Sequence, residues 1–99
     1  MAHRLAPAAE AELDDIWYYV VTESRSTEIA DRVVDSLSDR FALLAAHPHL
    51  GRRRDEDLLP GLRSFPVGEY LIIYRVEGDD VLVLHVVRGS RDIEALFRR

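Results

Sequence analysis

Cysteine and lysine are both absent from this chain of 99 residues. Without cysteine there is no disulfide, no thiolate zinc site and no cysteine nucleophile, and the composition suits a reducing compartment, so a cytoplasmic location is expected. Without lysine, Schiff-base chemistry and a phosphate-loop lysine are excluded. All 13 basic residues are arginine, so anion contacts fall to guanidinium or backbone N–H groups. No apolar run approaches the roughly 18 residues that a spanning helix needs, and the start Met1, Ala2, His3, Arg4 leads into no signal-peptide core, so no membrane partner is expected. Internal repeats and low-complexity segments are missing too. Ser36, Ser38 and Ser64 have no Gly-x-Ser-x-Gly context, which leaves hydrolase chemistry unsupported. The pair His47 and His49 straddles a proline with no zinc-like set beside it and is read as surface loop, so neither metal nor cofactor is expected.

What is present describes a packed protein: 47% hydrophobic and 31% charged residues are ordinary globular values. The length suits one domain over 1–99, burying about 60 to 70% of its unfolded surface. The net charge of −5 is unevenly spread. Residues 1–50 hold nine acids against four arginines, while residues 51–99 hold nine of each. With a pI near 5.3 the chain is no general nucleic-acid binder, for which a domain pI above about 9 is usual. Direct sequence-specific nucleic-acid binding is therefore not expected.

Pro7 suits a first helical position, because its missing N–H would lack a partner there anyway. Leu13, Ile16, Trp17, Val20 and Val21 then make one apolar stripe at helical period. Hydroxyls around Ser24, Ser26 and Thr27 cap a second helix, with the stripe Ile29, Val33, Leu37, Phe41, Leu44, which His47-Pro48 ends. So short a link makes the two helices an antiparallel hairpin. Residues 3–6 are too short and mixed to assign, and 48–60 reads as a loop. Strands are expected over 62–65, 69–76 and 81–87, with Pro66-Val67-Gly68 as a three-residue turn and another turn over 77–80. The fold class is α+β: an N-terminal αα-hairpin on a small, mainly antiparallel sheet. The last two strands are apolar on both faces, with Tyr70, Ile72, Tyr74 and Val76 opposite Leu71 and Ile73, and Val81, Val83 and Val87 opposite Leu82, Leu84 and Val86. Such a sheet needs two covers. The hairpin supplies one; the other must be the tail over 92–97 or a partner.

Several residues invite a functional reading. His85 is either a hydrogen-bonded structural histidine or a general base for a 2′-hydroxyl. Arg52, Arg53 and Arg54 are cancelled by Asp55, Glu56 and Asp57 and read as a self-paired loop. Arg63, Arg75, Arg88 and Arg91 have no such run of acids beside them, and form either one carboxylate- or phosphate-reading cluster or scattered strand-edge charges. Trp17, Tyr18 and Tyr19 look like a stacking platform, although the stripe places Trp17 in the core.

Taken together, Leu13-Asp-Asp-Ile16-Trp17-Tyr18-Tyr19, Leu44-Ala-Ala-His47-Pro48-His-Leu50-Gly51-Arg52, Gly61-Leu62-Arg63-Ser64-Phe65-Pro66-Val67-Gly68, Tyr70-Leu-Ile-Ile-Tyr74-Arg75-Val76 and Val87-Arg88-Gly89-Ser90-Arg91-Asp92 resemble the RelE/ParE superfamily of toxins from type II toxin–antitoxin systems, and within it the ParE branch. The resemblance implies a toxin that blocks DNA gyrase without catalysis of its own and is neutralised by a ParD-like antitoxin, with Trp17, Arg63, Arg75, Arg88 and Arg91 as antitoxin or target contacts. The RelE branch implies instead a ribosome-dependent mRNA endonuclease. Its C-terminal arginine is matched by Arg91, but its tyrosine base six residues later falls on Phe97, an arginine of its second strand falls on Leu71, and its lysines have no counterpart. A third reading is a non-toxic module acting only with its antitoxin as a repressor.

Overall fold

The computed structural model describes residues 2–89 and 93–97. In chain order its elements are β1 (His3–Leu5), α1 (Pro7–Ser24), α2 (Thr27–Ala46), β2 (Arg52–Arg53), β3 (Leu62–Val67), β4 (Tyr70–Glu77), β5 (Asp80–Arg88) and a 3₁₀ turn over Glu94–Phe97. Pro7 does open α1, after an extended Ala6 that offers no side-chain cap. Arg25, left-handed at φ 57°, closes it by donating its N–H to the Val21 carbonyl at 2.7 Å. Ser26 then starts α2 at once, its hydroxyl accepting from the Ile29 N–H at 3.2 Å. The helices pack through Ile16 on one and Leu37, Phe41 and Leu44 on the other. Ala9, Ala30 and Ala45 are buried as well, small side chains that no apolar stripe singles out. Two stripe residues differ from expectation. Ile29 is 43% exposed, and Trp17 is only half-buried, because its indole N–H must find an acceptor and does so at the surface, 2.8 Å from Asp31 Oδ1 on α2.

The five strands form one sheet in the order β1-β5-β4-β3-β2. β1 runs parallel to β5, and the other pairings are antiparallel. Both outer strands lie where none was expected, at residues 3–5 and inside the arginine-rich loop, since two or three residues carry no readable alternation and take their shape from the neighbour they pair with. The β3–β4 turn is tighter than expected: Val67 pairs with Tyr70, leaving a two-residue loop led by Gly68 at φ 57°. Pro66 therefore belongs to β3, opposite Leu71. β2 reaches only Arg63 and Ser64, so the strand has no neighbour on that side at Pro66 and tolerates the imino acid as an edge does.

A bulge between Ile73 and Tyr74 places His85 opposite the first and Val83 opposite the second. The extra residue, Leu84, reverses the alternation of β5 beyond it. Val86 consequently joins Val81 and Val83 beneath the helices, and Val87 faces away. The expected grouping had these two exchanged. On that far face Leu62, Ile73 and Val87 are covered by Leu58 from the loop and by Ile93, Leu96 and Phe97. The chain's own tail is thus the second cover that the patterning demanded.

The loop between α2 and β3 is tied down. The Tyr74 hydroxyl donates to the Pro48 carbonyl and accepts from the Gly51 N–H, each at 2.8 Å. Further along, Arg53 meets Asp55 at 2.7 Å, Arg54 meets Asp57 at 2.6 Å, and Arg54 donates to Ser64 Oγ at 3.0 Å. Two of the three arginines are thus paired with the acids that follow them, the self-paired loop that the sequence implied. The Gly61 N–H and Arg53 hold the Asp55 carboxyl below its ordinary value, Arg54 does the same for Asp57, and Arg75 with Arg4 for Glu77. Their contribution to stability is therefore full above the ordinary carboxylate range, near pH 4, and is lost as the pH falls through the depressed values. Melting temperature is expected to be flat from about pH 7 to 5 and to fall below about pH 4, modestly because solvent screens these exposed pairs. A rise in melting temperature between pH 5 and 3 would contradict these assignments.

Candidate functional site

At the end of β5 one polar side chain joins strand, helix and turn. Arg88 stands opposite Tyr70 in the ladder, and its guanidinium lies 4.5 Å from the centroid of the Tyr19 ring on α1. Its Nη2 donates to the Tyr19 hydroxyl at 3.1 Å and to Glu69 Oε1 at 3.0 Å. The Glu69 carboxylate, then the Tyr19 hydroxyl, stabilise the charged guanidinium and raise its pKa further. One side chain so bridges α1 to the β3–β4 turn, with a cavity on each side. A cleft of about 340 Å³ runs over Ile16 and Val86 between Glu12, Asp15 and Arg88. A wider groove of about 690 Å³ lies over Val20, Val33, Leu37 and Val67, with Arg32 and Glu23 at its rim. Tyr70 borders both. Burial, reinforced by the Glu69 charge, pushes its phenol pKa up and keeps it a neutral hydrogen-bonding group.

Arg63, Arg75 and Trp17 do not converge on Arg88. Arg63, opposite Tyr74 in β3, spends Nη1 on the His49 and Gly51 carbonyls at 3.3 and 2.8 Å and so secures the loop. Arg75 pairs with Glu77 on its own strand at 2.8 Å. It lies five residues along β4 from the Tyr70 that opposes Arg88, about 17 Å at strand rise, and on the other face, since Tyr74 beside it points to the helices. A single arginine cluster is therefore not what these three form. Arg91 lies outside the described residues. Trp17 sits on the outer side of the helical hairpin, edge-to-face with Tyr18 at 5.4 Å.

His85 is paired with a carboxylate. Its Nδ1 is 3.1 Å from both Glu12 oxygens, and its ring meets Phe97 edge-on at 5.5 Å. Glu12 Oε1 also accepts the Val86 N–H at 3.1 Å. β1 pairs only with Val81, Leu82 and Val83, so beyond its end the Glu12 carboxylate does for the β5 edge what a strand carbonyl would. Nothing in the sequence around Glu12 signals a contact so distant in the chain. Glu12→Ala should leave two polar groups unpartnered and cost about 1 to 3 kcal/mol, whereas Glu12→Gln, which keeps an acceptor oxygen, should lose less in urea unfolding. Equal losses would show that the carbonyl-like contact carries little. Among the described residues no His, Asp or Glu set is placed to hold a metal ion, and no helix is long and apolar enough to cross a membrane.

Two helices thus lie on one face of a mixed five-stranded sheet, an α+β architecture with an arginine bridge between two open clefts. The chain belongs to the ParE toxin family of type II toxin–antitoxin systems (parDE), whose family model matches residues 4–93. It is similar to Toxin ParE3 of Caulobacter vibrioides, 36% identical over 75 residues that make up 76% of this chain and 74% of that protein. Toxin RelE3 of the same organism is 30% identical over 82 residues, 83% of this chain and 87% of that one. A solved structure described as a chromosomal ParDE TA system from P. aeruginosa matches the fold with a TM-score of 0.76 at 23% identity, covering 89% of this chain and 95% of the other.

Proposed function

We propose that this ParE-type toxin inhibits DNA gyrase in the cytoplasm without catalysis of its own, and that a ParD-like antitoxin neutralises it by direct binding. The observation that carries the reading is the family match over residues 4–93, together with the chemistry at the C-terminus. The position at which an mRNA endonuclease of the RelE branch would carry its tyrosine base holds Phe97, and that ring is used for packing, edge-on to His85 and among Ile93 and Leu96. A phenyl ring exchanges no proton.

On this reading the antitoxin docks at Arg88, with Trp17, Arg63, Arg75 and Arg91 as further candidate contacts. Arg88 is exposed, its carboxylate partner among the described residues is the still more exposed Glu69, and apolar clefts flank it. An incoming carboxylate exchanges for Glu69 at little cost in desolvation, while neighbouring apolar side chains fill the clefts. Inducing the chain in cells with and without its antitoxin tests the reading. Growth arrest with filamentation, intact mRNA and relief by the antitoxin are expected; cut mRNA would move the function to the ribosome, and unimpaired growth would leave only a repressor partner.

A further inference from the structure

A third depression, on the opposite side of α1 from Arg88, has not been used by the reading above. It measures about 390 Å³, and its floor is Leu5, Leu13, Trp17 and Val34. Its charged lining is wholly acidic, Glu10 and Asp14, and neither carboxylate has an ion-pair partner among the described residues. Glu10 and Asp14, like Leu13 and Trp17, are one helical turn apart, so the apolar and the acidic rows run side by side along α1. The aromatic end is fixed in place. Asp31 grips the indole N–H at 2.8 Å, and Tyr18, 67% exposed and the most exposed large apolar residue described, stands edge-on against the indole at 5.4 Å. Over its 18 residues α1 has no basic side chain to offset Glu10, Glu12, Asp14, Asp15 and Glu23.

We infer that this groove is a protein-docking site for a basic amphipathic segment, one that lays leucine-sized side chains between Leu13 and Val34 and sets lysine or arginine heads against Glu10, Asp14 and the Trp17–Tyr18 pair. Charge complementarity selects the occupant: an acidic segment of the kind suited to Arg88 is repelled here, and a cation gains both carboxylates and aromatic faces. Trp17 is held preorganised, so little order is lost when the cation arrives. The inference rests on the reading of the chain as a docking protein. It adds a second surface, of opposite preference, on the other side of α1 from Arg88.

Trp17 is the single tryptophan of the chain, so its emission reports on the groove directly. The experiment titrates the full-length protein with two helical peptides of equal length, one with leucines at helical spacing and lysines or arginines elsewhere, the other with glutamates in place of the cations. A saturable shift in Trp17 emission with the basic peptide alone is expected. The double variant Glu10→Gln/Asp14→Asn should weaken it about tenfold, and the control Glu56→Gln/Asp79→Asn, which removes the same charge from two distant loops, by less than twofold. Equal response to both peptides, equal weakening by both variants, or no response would overturn the inference. An emission change on concentrating the protein alone, with dimer in sedimentation, would assign the groove to a second copy and overturn it too. Neither gyrase nor antitoxin enters the assay, so its failure leaves the proposed function untouched and is told apart from a failure of that reading.

Discussion

Tyr74→Ala is expected to remove about 3 to 5 kcal/mol of folding stability, the range for truncating a large buried aromatic. Tyr74 has no exposed surface and lies in the cluster shared by both helices and the sheet. The side chain has two roles that separate experimentally. Its ring fills the core, and its hydroxyl, whose pKa burial pushes up, is the polar end that holds Pro48 and Gly51. Tyr74→Phe keeps the first and loses the second, leaving the Gly51 N–H without its acceptor, and should cost about 1 to 3 kcal/mol. Gly51 gives an independent view of the same contact: an added Cβ would overlap the Tyr74 hydroxyl and lie 2.7 Å from its Cε1 and 2.9 Å from the Ser64 carbonyl. Gly51→Ala should therefore resemble Tyr74→Phe in urea midpoint or exceed it. With total stability of small domains at about 5 to 15 kcal/mol, the alanine variant at Tyr74 is expected to keep no more than about 2 kcal/mol at the lower end of that range and to be marginally folded there. A loss under 1 kcal/mol for both tyrosine variants would show that the loop holds without this latch.

Arg88→Glu is expected to weaken antitoxin binding by about ten- to a hundredfold or more, since a charge-assisted hydrogen bond is worth about 1.5 to 3 kcal/mol and the reversal adds repulsion. Folding should change little, because the exposed pair with Glu69 falls in the class worth about 0 to 1 kcal/mol. Arg88→Ala should lie between. Arg63→Ala and Arg75→Ala separate binding from structure: the first should lower stability by freeing the His49 and Gly51 carbonyls, and the second should change stability least. Calorimetric titration of each variant with the antitoxin, beside its melting curve, reads both quantities. Unchanged affinity for Arg88→Glu would remove the bridge from the interface.

Much of this architecture was legible because local signals agreed with global ones. Pro7, the Ser26 cap and two helical stripes marked the hairpin, and runs apolar on both sides marked β4 and β5 as a sheet needing two covers. The tail answers that need through Ile93, Leu96 and Phe97. Features that escaped are those set by distant partners. β1 is three residues long and exists because β5 offers a parallel edge; the bulge at Leu84 has no marker such as glycine; and Glu12 meets His85 across most of the chain. The candidate site was legible in residue type and not in grouping. Arg88 does stand at a cleft, but Arg63 and Arg75 went to loop and strand partners, because alternation and register decide on which face and at which end a strand residue lies. Trp17, placed in the core by its stripe, was drawn to the surface by an acceptor on α2, and became the floor of a groove instead.

The central claim is that this toxin acts on gyrase by binding. The measurement that tests it most directly adds the purified chain to a supercoiling reaction containing gyrase, plasmid and ATP, and then denatures the mixture with detergent and protease. Accumulation of linear plasmid with gyrase subunit attached at its ends, suppressed by prior addition of antitoxin, is the expected result. Normal supercoiling with no trapped cleavage, at chain concentrations that arrest growth, would contradict it.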